Sequence, residues 1–370
     1  MIAYVTSPAH RFVPWLGDLL PSLGAHLGVG GFEEDAIGLP AASRYVVVLV
    51  DGLGWDNTVR GCMDAPYVAE VLGDAIRADV RLPATTAASL MSLWTGVVPG
   101  RHGVVGYSFA LPQAGRLGRV VTPLGLPEPL ETPPSVPDRL AAAGVAVSFV
   151  LPADLVASGF TRMGTRGRVV GVPVRADRET AVSAIVAASR ADRALVYAYD
   201  GRLDHAGHKY GVDSPQWRAT LGDIDALLGT LRSRLDDDVR LIVTGDHGMI
   251  DVGVTDRIVI DNVPELSAGV RLIGGEARFR HLYVAQPAAV AARWRAHLGE
   301  AAEVLTRDEA IDQGLFGPVA PGVRERIGDV VVYPRAGQAY LTDQFPGEFT
   351  MVGMHGAATP GERYVPLLVD

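Results

Sequence analysis

Six side chains of the kinds that bind metals lie in four short segments spread along the chain. They are Asp51, Asp204, His208, Asp246, His247 and His355. Three carboxylates and three imidazoles can hold two divalent metals with mixed oxygen and nitrogen ligands, and zinc fits that set best. A fifth segment places a pair of hydroxyls, Thr85 and Thr86, at a predicted helix start. Two metals beside an activated hydroxyl are the components of a phosphoryl-transfer site.

Each of the four segments has the pattern of a strand end, as in VVVLVDGLG around Asp51 and LIVTGDHGM around Asp246. The carboxyl ends of the strands in an open α/β sheet gather along one edge, where ligands and catalytic groups collect. This placement predicts that the six side chains meet at that edge.

Two of the segments also have simpler explanations. Asp51 precedes glycine, and Asp-Gly is a common turn pair. Asp204 and His208 have the i, i+4 spacing that puts two ligands on one side of a helical turn, although a polar turn after a strand would look the same. His205 lies between them, and we prefer His208 because of the spacing.

The other two segments differ in how strongly they predict a metal ligand. Asp246 and His247 are adjacent between glycines, so they could bind one metal at a sharp bend or serve two metals. A charged pair buried after LIVT would be costly without a metal. His355 is a lone histidine between glycines, of a kind that is more often structural, and its assignment depends on the other segments.

The hydroxyl pair sits in PATTAASLM, just before an alanine-rich helical stretch. Threonine often fills the N-cap of a helix, and this role is compatible with a catalytic one. A nucleophile at a helix N-terminus has free backbone N–H groups and the helix dipole nearby to stabilise an oxyanion.

The elements that must position these groups alternate along the chain. Near-continuous apolar runs at 44–50, 145–151, 194–199 and 239–244 are typical of buried parallel strands. Helical patterns at 178–190 and 214–233 lie between or beside them, the second with Ser214 as N-cap and proline at its first position. Alternation of this kind predicts a doubly wound α/β fold with a mostly parallel sheet and helices on both faces.

The domain organisation follows from a change of pattern after residue 254. We expect an α/β core over 1–254 and 344–370, with a small α+β cap over 255–343 inserted in it. The cap would contain a hairpin near Gly274 and Gly275, a helix and a further strand. The proline-rich segment 111–137 is expected to be a surface loop near the site.

The composition limits the class of partner. The 370 residues are 48% hydrophobic and 20% charged, which favours a folded core over disorder. The net charge of −9 and the lack of a basic stripe argue against a nucleic-acid polymer as partner. Three aspartates with two divalent metals would carry a net charge of about +1, which attracts one small phosphate ester.

The same composition bears on compartment. With Cys62 as the only cysteine, no intrachain disulfide can form. The first twenty residues lack a signal-peptide pattern, and no stretch reaches the length of an apolar membrane span. We therefore expect a cytoplasmic protein that does not enter a membrane. The oligomeric state cannot be read from the sequence.

Together, five motifs resemble those of the alkaline phosphatase superfamily, and within it the nucleotide pyrophosphatase/phosphodiesterase family. They occur in the family's order and spacing over roughly residues 44–255 and 350–367: VDGLGWD, PATTAASLMSLWTGVVPGRHG, DHAGH, GDHGM and GMHG. The resemblance implies an alkaline-phosphatase-like fold and hydrolysis of phosphodiester or pyrophosphate bonds, with nucleotide-like substrates.

The resemblance also implies roles for the residues. One zinc would be held by Asp51, Asp246 and His247, and the other by Asp204, His208 and His355. Thr86, rather than Thr85, takes the place of the nucleophile and would form a phospho-threonine intermediate. His102 would have a structural role.

Two positions depart from the family pattern. Tyr107 stands where related proteins carry an asparagine that donates to a phosphate oxygen, and we expect the tyrosine hydroxyl to take this catalytic role. Ala87 stands where an aromatic residue packs on a nucleobase, which makes nucleotide specificity less secure than phosphodiester chemistry.

Other functions fit parts of the pattern. A phosphomonoesterase would need an extra cation, which Arg278, Arg280 or His281 of the cap could supply, and we expect Arg280 and His281 to contact substrate. A phosphonate hydrolase is a further alternative, whereas threonine at position 86 disfavours a sulfatase. A phosphomutase would need a large insertion, yet only 117 residues lie between Thr86 and Asp204. A non-catalytic zinc-binding protein would tolerate a degenerate site, but no ligand is missing.

Overall fold

The computed structural model describes residues 13–111, 116–119, 130–165, 169–174 and 177–370. The strands are β1 (Arg44–Val50), β2 (Ile76–Asp79), β3 (Ser108–Leu111), β4 (Arg116–Arg119), β5 (Ala146–Pro152), β6 (Val170–Val174), β7 (Ala194–Asp200), β8 (Val239–Thr244), β9 (Ile250–Asp251), β10 (Arg257–Val259), β11 (Val270–Glu276), β12 (Phe279–Val284), β13 (Ala302–Thr306), β14 (Val330–Pro334), β15 (Ala339–Leu341), β16 (Gly353–Met354) and β17 (Tyr364–Val369).

The α-helices are α1 (Leu19–His26), α2 (Trp55–Gly61), α3 (Pro66–Val71), α4 (Thr86–Thr95), α5 (Pro99–His102), α6 (Val136–Ala142), α7 (Ala153–Val156), α8 (Gly159–Thr165), α9 (Arg178–Ala188), α10 (Arg202–Tyr210), α11 (Pro215–Arg234), α12 (Pro264–Ser267), α13 (Pro287–Leu298), α14 (Arg307–Asp312) and α15 (Pro360–Arg363). The prediction for α11 is confirmed at its start, where the Ser214 hydroxyl accepts from the backbone N–H of Trp217 and Pro215 is the first helical residue.

The central sheet has seven strands in the order β2-β17-β8-β1-β7-β5-β6. The strands β8, β1, β7, β5 and β6 pair in parallel, while β17 runs antiparallel between β2 and β8. The predicted mostly parallel sheet is therefore confirmed, and the four predicted strands match β1, β5, β7 and β8 to within one residue at each end.

Helices cover both faces of this sheet. Alternate residues of β1 enter two separate apolar clusters, with Val47 in the cluster that contains Trp94 of α4 and Val46 in the cluster that contains Trp217 of α11. Both valines are fully buried. This two-sided burial explains why the β1 sequence is apolar without interruption.

A second, antiparallel sheet of order β11-β12-β14-β13 lies within residues 255–343. One face packs on α13 around Trp294, and the other joins the main core through Phe279. The sheet thus packs directly against the core, while the expected boundaries of an inserted cap stay a prediction. Of the expected loop over 111–137, residues 112–115 and 120–129 lie outside the described residues; β4 pairs with β3, and α6 begins at Val136.

Candidate functional site

The fold brings the six predicted ligands to one edge of the central sheet. Asp51 follows β1, Asp246 and His247 follow β8, and α10 after β7 carries Asp204 and His208. His355 arrives from β16, the short strand that pairs with β9 just beyond His247. Three of the four segments therefore leave the carboxyl ends of adjacent parallel strands, which is where this fold class places its sites.

Asp51, Asp246 and His247 form a compact buried group whose ligand atoms lie within 4.8 Å of one another. Nε2 of His247 lies 3.3 Å from Oδ1 of Asp51 and 3.7 Å from Oδ2 of Asp246. Both aspartates and the histidine are almost fully inaccessible to solvent. Side chains of this type at this spacing can hold one metal ion.

A second group of ligand atoms lies beside the first. Asp204, His247 and His355 bring their ligand atoms within 4.8 Å of one another. His208 also belongs to this region, with Nε2 at 3.3 Å from Oδ1 of Asp204. The rings of His247 and His355 stack at 3.6 Å between centroids, so the two groups adjoin. His205 is exposed and takes no part in either group.

The backbone fixes which nitrogen of each histidine faces the site. Nδ1 of His208, His247 and His355 contacts the carbonyl oxygen of Gly353, Gly248 and Ala84 respectively, at 2.9 to 3.0 Å. A carbonyl only accepts a hydrogen bond, so Nδ1 carries a proton and Nε2 is the nitrogen that can offer a lone pair to a metal. Histidines that bind metals are commonly oriented by such a contact.

Two carboxylate oxygens at the centre of the site are buried without a hydrogen-bond partner among the described residues. They are Oδ1 of Asp204 and Oδ2 of Asp246. A buried carboxylate oxygen is costly when nothing satisfies it. Divalent metals facing these oxygens and the Nε2 lone pairs would satisfy them, so the donor set fits a metal-binding role.

The charges of the site lead to the same conclusion. Burial, with the negative charge of Asp51, raises the pKa of Asp246 to about 8. Burial also raises the pKa of Asp204. Although burial acts to raise it, the hydrogen bond to His247 holds the pKa of Asp51 below its usual value. Three carboxylates packed this closely cannot all ionise comfortably unless positive charge lies between them.

The hydroxyl of Thr86 lies within the first ligand group. Thr86 is the first residue of α4, and its Oγ1 lies 3.1 Å from Nε2 of His247 and 3.5 Å from both carboxylate oxygens of Asp51. Thr85 is the N-cap residue, yet its side chain makes no capping hydrogen bond. The nucleophile expected from the sequence is therefore close to the ligand atoms and at a helix N-terminus.

A cavity of about 520 Å³ opens from Thr86 and the ligands. Its lining is partly apolar and aromatic and includes Leu90, Trp94, Leu155, Phe160 and Tyr199. Other lining residues are polar or mixed and include Tyr107, Arg119, Glu276, Phe345 and Glu348. The expected position of Tyr107 beside the reacting group is thus compatible with the structure.

Arg280 and His281 do not line this cavity, contrary to the sequence-based expectation. The Arg280 guanidinium is fully buried, donates to the carbonyl of Tyr340 and pairs with Glu348. Nε2 of His281 contacts the carbonyl of Val105 at 3.0 Å. The side chains are occupied inside the protein, so they are not available to bind substrate.

Two other residues assigned from the sequence also have internal partners. Arg278 makes a buried, two-pronged ion pair with Glu362, with both N–O distances at 2.7 Å. His102 is buried with Nε2 at 3.0 Å from the Ser92 hydroxyl. Arg278 is therefore also unavailable to substrate, whereas His102 holds the segment after α4 in place.

Two residues of the site escaped the sequence analysis. The Tyr199 hydroxyl donates to Oδ2 of Asp51 at 2.5 Å and thereby orients a ligand. The Glu276 carboxylate enters the cavity from β11, with Oε2 at 3.6 Å from Nδ1 of His355. Tyr199 at the end of β7 could have been found from its strand-end position, whereas GGEARFR gives no local sign that Glu276 points inward.

The sequence is similar to known phosphodiesterases and pyrophosphatases. The family model described as "Type I phosphodiesterase / nucleotide pyrophosphatase" matches residues 45–358. Human ectonucleotide pyrophosphatase/phosphodiesterase family member 7 is 28% identical over 230 residues, which cover 57% of this chain and 48% of the relative. An uncharacterized pyrophosphatase/phosphodiesterase of Schizosaccharomyces pombe is 23% identical over 61% of this chain and 49% of its own length. The chain thus spans about half the length of these two curated relatives.

Solved structures share the fold. Murine ectonucleotide pyrophosphatase / phosphodiesterase 5, in an inactive form in complex with AMP, superposes with a TM-score of 0.70 at 17% identity, covering 88% of this chain and 87% of its own. Phosphonoacetate hydrolase from Sinorhizobium meliloti, in complex with phosphonoformate, gives a TM-score of 0.63 at 19% identity, covering 88% and 89%. Within the described part of this chain, the helices are too short or too polar to cross a bilayer.

Proposed function

The chain belongs to the type I phosphodiesterase / nucleotide pyrophosphatase family, and we propose that it hydrolyses phosphodiester or pyrophosphate bonds with Thr86 as nucleophile at a two-zinc site. The family supports a metal-dependent phosphoester hydrolase. The observation that carries the finer proposal is the position of Oγ1 of Thr86, 3.1 Å from Nε2 of His247 and 3.5 Å from the Asp51 carboxylate.

Two zinc ions suit the ligands. Asp51, Asp246 and His247 would hold one ion, and Asp204, His208 and His355 the other. Carboxylate oxygens and imidazole nitrogens together favour zinc among the common divalent metals. When bound, such ions polarise phosphoryl oxygens and lower the pKa of a hydroxyl that they contact.

The chain's own residues would then carry out two displacements. Oγ1 of Thr86 attacks phosphorus, the bond to the leaving oxygen breaks, and a phospho-threonine forms. Water attacks the same phosphorus in the second step and releases Thr86. The backbone N–H groups at the start of α4 have no partner within the helix and would be available to phosphoryl oxygens bound beside Thr86, and the Tyr107 side chain lines the same cavity.

The charges around the cavity favour a diester over a monoester. Among the described lining residues, Arg119 is the one arginine, and burial raises the pKa of Glu276 to about 8, so this carboxyl is largely neutral at pH 7. Arg280, which could have met the second negative charge of a monoester, is turned away into its pair with Glu348. With one arginine among its described lining residues, this cavity offers little positive charge beyond the metals, and a singly charged diester needs less of it than a doubly charged monoester.

The apolar residues that line the cavity favour an ester group with a flat or apolar body. Trp94, Phe160 and Tyr199 contribute aromatic surface, and Leu155 adds aliphatic surface. Ala87 is buried behind the wall, so its small size does not remove aromatic contact from the cavity. A nucleoside-like group fits this surface by stacking.

The test uses zinc-loaded protein with bis-p-nitrophenyl phosphate, p-nitrophenyl phosphate and phosphonoacetate. We expect the diester to give the highest kcat/KM, and Thr86→Ala to lower it by about a thousandfold or more. Thr255→Ala, at an exposed threonine outside the cavity, is the matched control. Equal rates for Thr86→Ala and wild type would exclude Thr86 as nucleophile, and preference for the monoester or the phosphonate would reassign the substrate class.

A further inference from the structure

The Glu362 carboxylate lies in a buried polar cluster outside the lining of the cavity. The Arg278 guanidinium binds both of its oxygens, with Nε and Nη2 at 2.7 Å from Oε1 and Oε2 respectively. Both side chains are fully buried. A buried ion pair adds little net stability compared with apolar residues of the same volume, which points to a role in positioning.

The carboxylate is joined to the segment that carries His355. Oε1 of Glu362 also accepts from the backbone N–H of Ala357 at 3.0 Å, two residues after His355, and Oε2 accepts from the Thr359 hydroxyl. The carboxylate therefore holds the turn that links β16 to α15. On the other side, Nδ1 of His355 contacts the Ala84 carbonyl at 2.9 Å. His355 is thus held by its ring and by the backbone that follows it.

The backbone of Glu362 contacts a second ligand segment. Its carbonyl accepts from the N–H of Gly248 at 2.7 Å, and the Gly248 carbonyl contacts Nδ1 of His247 at 3.0 Å. A Cβ at Gly248 would clash with the carbonyl of Gly361, so the two segments approach each other through backbone alone. Glu362 therefore connects the segment of His247 with that of His355, and the rings of these histidines stack at 3.6 Å between centroids.

Arg278 fixes the direction of the carboxylate. Its guanidinium also donates to the carbonyls of Gln338 and Ala336, at 2.8 Å for Ala336, in the connection between β14 and β15. All three nitrogens are therefore engaged, and two of them are anchored outside the ligand segments. A planar fork held in this way keeps a carboxylate in one orientation, which the single ammonium of a lysine cannot do.

We propose that Arg278 and Glu362 are positioning residues for the metal site, in which Arg278 orients the Glu362 carboxylate and the carboxylate holds the backbone of the His355 segment. This inference rests on the proposed function, in which His355 binds one of two zinc ions. Glu362 meets the His247 segment through its backbone carbonyl, which a side-chain substitution leaves in place. Loss of the ion pair should therefore weaken the zinc site of His355 and spare that of His247.

Two variants remove the two-pronged contact in different ways. Arg278→Lys keeps the charge but cannot bind both carboxylate oxygens in the same geometry. Arg278→Met combined with Glu362→Gln removes both charges, so this variant buries no unpaired charge and serves if the lysine variant fails to fold. Arg363→Lys is the matched control, because Arg363 makes the same kind of contact with Asp79 on the edge strand β2, at 2.7 and 2.6 Å.

The assay titrates zinc against a chromophoric chelator to obtain a Kd for each of the two sites, and His355→Ala identifies which Kd belongs to the His355 site. We expect both Arg278 variants to weaken that site about tenfold or more, with the other site, and both sites of Arg363→Lys, changed by less than about twofold. The melting temperatures of the metal-free proteins are measured alongside. An ion pair that only stabilises the fold would lower the melting temperature without changing either Kd, and this result would overturn the proposal, as would equal weakening of both sites.

The same measurements separate this inference from the proposed function. If the Arg278 variants weaken the one site while wild type cleaves no ester, the positioning role stands and the hydrolase fails. If wild type binds two zinc ions and cleaves the diester while neither Kd changes in the variants, the hydrolase stands and the positioning role fails. A wild type that binds fewer than two zinc ions would overturn the two-zinc site and the positioning role together.

Discussion

Replacing Asp246 by asparagine should stabilise the metal-free protein and reduce the further stability that zinc provides. Oδ1 of Asp246 accepts from the backbone N–H groups of Gly52 and His247, both at 3.1 Å, and an asparagine oxygen can accept the same bonds. Oδ2 has no hydrogen-bond partner in the described part of the chain and lies 3.7 Å from Nε2 of His247. The substitution therefore removes a ligand oxygen while keeping the shape of the turn.

The size of the effect follows from the pKa of Asp246. Burial and the charge of Asp51 raise this pKa from 3.8 to about 8. Above pH 3.8 the unfolded chain releases the proton while the folded protein retains it. The Asp246 carboxyl therefore lowers the free energy of unfolding by an amount that grows from pH 3.8 towards pH 8. At pH 7 the penalty is about 4 kcal/mol, at roughly 1.4 kcal/mol for each pH unit. Asparagine carries no such penalty.

These energies convert to measurable melting temperatures. An unfolding entropy of about 2.1 cal/mol/K per residue gives roughly 0.8 kcal/mol/K for the whole chain, so 4 kcal/mol corresponds to about 5 °C. Zinc at a thousandfold excess over its Kd adds about 4 kcal/mol to the free energy of unfolding for each site that it fills. The variant without metal should therefore melt about 5 °C above wild type without metal, and its gain on adding zinc should be smaller by a similar amount.

The assay is thermal unfolding at pH 7 after chelation and after titration with zinc. Asp237→Asn, at an exposed aspartate, serves as control and should match wild type in both states. A lower melting temperature for chelated Asp246→Asn would refute the argument that this carboxylate is unfavourably buried. An undiminished gain with zinc would show that Asp246 does not bind metal.

Tyr199→Phe should lower zinc affinity about tenfold in a chelator competition, because it removes the 2.5 Å hydrogen bond that orients Asp51; unchanged affinity would contradict this role. Tyr107→Phe should lower kcat/KM for the diester about tenfold at an unchanged melting temperature, and an unchanged kcat/KM would remove Tyr107 from the site. Burial lowers the pKa of His281 from 6.5 to about 4, so the unfolded chain gains a proton first and this group should cost about 3 kcal/mol of stability between pH 6.5 and pH 4. Urea midpoints should therefore fall less steeply with acid in His281→Gln than in wild type, and equal slopes would refute this assignment.

The parts that could be predicted from the sequence depend on local patterns. The uninterrupted apolar run of β1 reports burial on both faces, and that burial is a property of the strand itself. The predicted ligands Asp51 and Asp246 stand one and two residues after the ends of β1 and β8, so the parallel sheet alone is enough to bring them together. The i, i+4 spacing of Asp204 and His208 likewise predicts that both side chains point to one side of a helix, and both lie in α10.

The misplaced substrate contacts show what local patterns leave out. Arg280 and His281 have the right chemistry to bind a phosphate, but their partners Glu348 and Val105 lie 68 and 176 residues away. The sequence contains a basic group in both cases without indicating which acceptor it will meet. A buried cation is stable only with a specific partner, so the partner decides whether the group is free to bind substrate.

The hairpin of β11 and β12 shows how that choice affects specificity. It carries Glu276, Arg278 and Arg280, and the two arginines are fully buried in pairs with Glu362 and Glu348. Only the carboxylate of Glu276 reaches the cavity from this trio. Had Arg280 faced the cavity and Glu276 been paired inside the protein, the same sequence would supply a cation for the second charge of a monoester. The proposed preference for diesters therefore depends on which way the hairpin's side chains point, and this direction is set by Glu348 and Glu362 in a distant segment of the chain.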